Sequence, residues 1–86
     1  MATLHLVNHA RALPACLERA GADDAVLLLE DGVYAAAAPL PRAVYVLAAD
    51  VRARGLGARL PSEAAVIDDA GFVDLVVAHQ PVVTWR

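Results

Sequence analysis

The sequence predicts a small three-layer α/β domain: a mostly parallel five-stranded sheet with helices on both faces. Three observations lead there. Five short β-type runs alternate with helical segments along 86 residues, and short links between alternating elements favour parallel strands joined by crossover helices. One run, Ala25–Leu29, is apolar at every position, the pattern of a strand covered on both sides. Three runs end in acid and then enter a helical stretch: LLLED at 27–31, VLAAD at 46–50 and VIDD at 66–69.

The elements follow in order. Thr3–Val7 reads as the first strand and Arg11–Ala20 as a helix. Asn8 is a candidate cap for that helix, Pro14 is tolerated only in its first turn, and Gly21 stops it. After the strand Ala25–Leu29, Val33–Ala38 reads as a short helix ended by Pro39 and Pro41. Ala43–Leu47 is a strand rich in β-branched and aromatic residues, and Ala49–Arg54 a short helix closed by Gly55. The stretch Gly55–Pro61 is a loop by composition. Ala65–Ile67 is a brief strand. Ala70–His79 is a helix with Phe72, Val73, Val76 and Val77 along one side, and Val82–Trp85 is the last strand.

Residues 1–86 make one domain, with no linker, low-complexity tract or room for a second core. The apolar content is 59%, against about 45–50% in an average soluble domain. A chain this short covers only about 60–65% of its unfolded surface. Part of that apolar surplus therefore needs cover from outside the chain, by partners or by self-association. No uncharged run approaches the ~20 residues of a membrane span, and the first eight residues carry no secretory pattern. A single Cys cannot form an internal disulfide, which suits a reducing compartment, so the expected location is cytoplasmic. Net charge is −3, with seven Arg, no Lys and no basic stripe, so direct nucleic-acid binding is not expected.

Few residues invite chemistry. Glu30, Asp31, Asp50, Asp68 and Asp69 fall at the carboxyl ends of predicted strands, the edge where open α/β sheets hold ligands. There they could bind a divalent cation or move a proton, and a small metal- or nucleotide-binding enzyme using Asp31, Asp50 and Asp69 is one reading. Helix capping explains the same placement more simply. Cys16 is the candidate nucleophile, yet the stripe Leu13–Cys16–Leu17–Ala20 puts it on the buried side of its helix. Arg19 is spaced to assist a thiolate there. His5, His9 and His79 show no metal spacing; His5, in a strand, reads as a half-exposed side chain. No glycine loop for phosphate is present, and neither a metal nor a cofactor is expected.

The runs AVLLLEDGVYAA (25–36), VYVLAADVRARGL (44–56) and VIDDAGFVDLVVAHQPVVTW (66–85), with the opening Leu4-His5, resemble the DsrH/TusB family across nearly the whole chain. The EDG turn, the D-x-x-A-R-G-L segment and the D-x-x-x-F-V-x-L helix carry the likeness. The stretch around Pro39–Pro41 looks shorter than is usual in that family. The resemblance implies a DsrE-like fold and a place in a cytoplasmic sulfurtransferase (sulfur-relay) complex. Its partners there would be DsrE/TusD-like and DsrF/TusC-like subunits, in a dimer of heterotrimers. Persulfide sulfur would pass from a TusA-like donor to a TusE/DsrC-like acceptor, for 2-thiolation of the tRNA wobble uridine or for dissimilatory sulfur oxidation. The main persulfide Cys would sit on the DsrE/TusD-like subunit, making this chain accessory. A Cys in the first helix marks sulfur-oxidiser DsrH members, and Cys16 matches it by its distance from the EDG turn, as a persulfide carrier. The alternative is a self-associating structural domain with no sulfur chemistry.

Overall fold

The computed structural model describes residues 2–86. Its strands are β1 (Leu4–His9), β2 (Ala25–Asp31), β3 (Val44–Leu47), β4 (Ala64–Ile67) and β5 (Val82–Trp85). They form one sheet in the order β4-β3-β2-β1-β5, and every adjacent pair is parallel. The helices are α1 (Leu13–Arg19), α2 (Ala48–Ala53) and α3 (Asp69–Ala78), with 3₁₀ turns at Ala10–Ala12, Gly32–Ala37 and Gly57–Arg59.

The chain steps from β1 through β2 and β3 to β4 in one direction, then returns to place β5 on the far side of β1. Parallel crossovers keep one hand, so a reversal of direction sends the connection to the other face. The first three links accordingly cover one face, where Val7, Val26, Leu28, Val44 and Val46 pack with Leu13, Cys16, Val33, Ala36, Val51 and Leu56. Among the described residues only α3 covers the second face. There Leu4, Ala25 and Leu27 are buried, and Leu6, Tyr45, Ile67, Phe72 and Leu75 are partly so. One helix about 10 Å wide cannot hide five strands spaced about 4.8 Å apart.

Two glycines are required by the backbone. A Cβ on Gly32 would overlap the Val7 carbonyl oxygen, so the turn after β2 lies directly against β1. Gly55 holds a φ of +66° at the end of α2, a conformation that costs L-residues but not glycine.

Several local expectations are corrected. The predicted helix Arg11–Ala20 is split into a 3₁₀ turn and a shorter α-helix, and its cap is His9 rather than Asn8. Pro14 does sit in the first turn of α1. The short helix expected at Val33–Ala38 is a 3₁₀ helix over Gly32–Ala37, and the stretch read as a loop contains a 3₁₀ turn at Gly57–Arg59. On α3 the residues facing the sheet are Phe72 and Leu75, while Val73 and Val77 point away at 59% and 79% exposure. His5 is buried at 5% exposure rather than half-exposed, because it lies under Trp85 on the covered face.

Candidate functional site

Cys16 sits one turn into α1, on the side that meets the sheet, and is fully buried. The cause is the spacing Leu13–Cys16–Leu17–Ala20, which puts all four against the apolar layer. Removal from water pushes the thiol up to about 11, opposed by the positive charge of Arg42 and reinforced by the negative charge of Asp24. As folded, Cys16 is buried in surroundings that disfavour the thiolate, the reverse of what a sulfur nucleophile needs.

Arg42 and Asp24 belong to a polar cluster at the amino end of the sheet. The Asp24 carboxylate accepts the backbone N–H groups of Thr3 and Gly21, each at 2.9 Å. It also takes the Nε2–H of His5 at 3.0 Å. Those bonds hold its carboxyl well below the usual carboxylate range, the Thr3 and Gly21 amides contributing most and His5 less. The other ring nitrogen of His5, Nδ1, accepts the indole N–H of Trp85 at 3.0 Å. His5 is thus satisfied at both nitrogens as the neutral Nε2–H tautomer. Arg42 completes the cluster by donating to the carbonyls of Gly21 and Asp24. Nothing in the spacing of His5, Asp24 and Trp85 announces this group; 80 residues separate His5 from Trp85. No local pattern announces Asp24 either: an Asx-turn reaches two residues onward, whereas Asp24 reaches back three residues to the Gly21 N–H.

The acids at the carboxyl edge resolve into separate tasks. Asp50 is not a cap: the position before α2 is Leu47, with no side-chain bond. Its Oδ2 accepts the N–H of Glu30 at 2.7 Å, holding a residue whose φ is +50°. Arg54 donates through Nε and Nη2 to Asp31 Oδ1 at 3.0 and 2.9 Å and lies 5.8 Å from the centre of the Tyr34 ring. The EDG turn and the D-x-x-A-R-G-L segment are therefore two halves of one clamp between β2 and α2. Asp68, not Asp69, caps α3, its Oδ1 accepting from Gly71 at 2.9 Å. Among the described residues no three His, Cys, Asp or Glu side chains come together as a metal would need.

The clamp joins the same segments that carry the resemblance, and a family model for DsrH-like proteins matches residues 7–82. The chain belongs to the DsrH-like family. Relatives of DsrH-type chains include Protein TusB of Yersinia pestis (strain Pestoides F) and of Yersinia pseudotuberculosis serotype O:1b (strain IP 31758). This chain is 36% identical to each over 94 aligned positions, which cover 95% of it and 99% of the relative. The alignment is longer than this 86-residue chain, so the relatives carry residues that it lacks. The family is one of sulfur-relay subunits, as the sequence resemblance led us to expect.

The last third of this DsrH-like chain carries most of its exposed large apolar side chains. Val73, Val76 and Val77 lie on α3 and Val82 pairs with Leu4 on the second face, whereas Val66 and Val83 pair with Val46 and His5 on the first. No residue from 61 to 86 is buried. Apolar residues ring α3 on every side, the composition of a helix enclosed by protein rather than by water.

Proposed function

We propose that this chain is the accessory subunit of a sulfur-relay complex that passes persulfide sulfur between carrier proteins, and that its contribution is surface rather than chemistry. The observation that carries this reading is the apolar outer side of α3 on a chain of the DsrH-like family. DsrE/TusD-like and DsrF/TusC-like subunits are the proposed cover for that surface, in a dimer of heterotrimers. A TusA-like protein is the donor and a TusE/DsrC-like protein the acceptor. The pathway ends in 2-thiolation of the tRNA wobble uridine or in dissimilatory sulfur oxidation, in the cytoplasm. The burial of Cys16 supports placing the persulfide on the DsrE/TusD-like partner.

Co-expression with the two partner types tests the assembly. The expected result is one hetero-oligomeric species in gel filtration, with the chain self-associating when expressed alone. A stable monomer that binds neither partner at micromolar concentration overturns the proposal, and self-association without partner binding favours a structural domain. A second reading makes Cys16 a persulfide carrier, favoured by its place in the first helix. That role requires α1 to swing off the sheet. Loading the complex with a sulfur donor and finding one added sulfur on the Cys16 peptide supports it. No adduct, with full transfer activity in Cys16→Ser, rejects it.

A further inference from the structure

We propose that the hollow between the carboxyl ends of β1 and β5 binds a small tetrahedral oxyanion of the phosphate or sulfate class, held by Arg11, Arg86 and the Nε2–H of His9. The hollow measures about 310 Å³ and is lined by His9, Arg11, Ala12 and Arg86. Two arginines and no acid line it, on a chain whose net charge is −3. The local excess of positive charge therefore runs against the average of the molecule.

Its position is the second argument. His9 ends β1 and Arg86 follows β5, and these strands are neighbours at the point where the strand order reverses. Open parallel sheets leave a crevice at that point, at the carboxyl ends of their strands, and ligands occupy it.

The third argument is the direction of the donors. The Nδ1 of His9 accepts the backbone N–H of Arg11 at 3.2 Å. A neutral imidazole carries one proton, so it resides on Nε2. That Nε2–H stands 3.4 Å from the Nη2 of Arg11, which is itself a donor and has no lone pair to offer. Two N–H groups aimed at one region are relieved by an acceptor that takes both, and a charged acceptor takes them best. Arg86 lines the hollow from the other strand. An ion with oxygens in several directions can meet guanidinium groups from two strands and the imidazole better than a planar carboxylate can.

The test does not depend on the sulfur-relay reading. The protein is titrated with sodium phosphate and sodium sulfate against sodium chloride, at constant pH and ionic strength, and the carbon-bound ring protons of His9 are followed by NMR. His5 and His79 serve as internal controls. Saturable, millimolar shifts of His9 alone are expected with phosphate and sulfate. Arg11→Gln and Arg86→Gln should each weaken binding about three- to fivefold, the worth of one exposed charge pair, with Trp85 fluorescence unchanged. Shifts of equal size in chloride, equal affinity in both variants, or displacement of phosphate by an equal concentration of acetate overturns the proposal.

Discussion

Cys16 and Asp24 are neighbours in space whose acidities are driven apart. Burial raises the thiol from 9.0 to about 11, so the thiolate at neutral pH is about a hundredfold scarcer than for a free Cys. Native protein should thus react with a thiol reagent at least that much more slowly than denatured protein, by absorbance. Labelling at the rate of the denatured chain would contradict the burial. Cys16→Ser places a hydroxyl in an apolar layer and should cost about 1–3 kcal/mol in a denaturant titration. Asp24 moves the other way, because amide donors favour its charged form. A carboxyl whose folded pKa is depressed stabilises the fold above its unfolded value, about 4, and loses that contribution as pH falls through the folded one. Melting temperature should therefore decline below about pH 5, and Asp24→Asn, with fewer acceptor sites, should start lower and decline less steeply. Parallel pH profiles for the two proteins would show that the carboxylate is not the hub of this cluster.

Single elements owe their ends to side chains that share a composition but not a task. VIDD contains one cap and one bystander, since only Asp68 has extended backbone and reaches the Gly71 N–H. Asp68→Ala should cost about 1 kcal/mol, while Asp69→Ala should change stability by no more than about 0.5 kcal/mol. A reversed ranking in thermal denaturation would refute the assignment. Asp50 shows the same ambiguity in another form: from the sequence it closes a strand run at the start of a helical stretch, so it reads as a cap. The helix starts at Ala48, one residue before the predicted Ala49, so Asp50 lies inside its first turn and its carboxylate crosses to Glu30. Helix limits within one or two residues are poorly specified by local pattern, and a side chain's role turns on those residues.

Across the whole molecule the asymmetry of cover sets what the chain needs from others. Three links fold over one face and α3 alone over the other, which leaves Val77 at 79% exposure. Val77→Glu should leave the melting temperature of the isolated chain unchanged within about 0.5 kcal/mol of stability. It should abolish association with partners in gel filtration, because a charge buried without a counter-charge at an interface is costly. Retained association, with the fold intact, would move the docking surface elsewhere. Among the described residues no helix is long and apolar enough to cross a membrane.

What the sequence by itself determined was the order of five strands and the links between them, and that Cys16 belongs to a buried stripe. The parallel class was legible as well. These follow from periodicity and chain length, which are local and survive without knowledge of neighbours. The tertiary structure alone decided which acid caps and which clamps, and that His5 is buried between Asp24 and Trp85. It also showed which side of α3 meets the sheet. Those depend on contacts between residues as far apart as His5 and Trp85, which meet only because β5 returns to pair with β1. The sequence-level reading put Phe72, Val73, Val76 and Val77 on one side of α3 because all four are apolar. A helix apolar on every side carries no stripe to read, so only packing against the sheet distinguishes its inner residues from its outer ones.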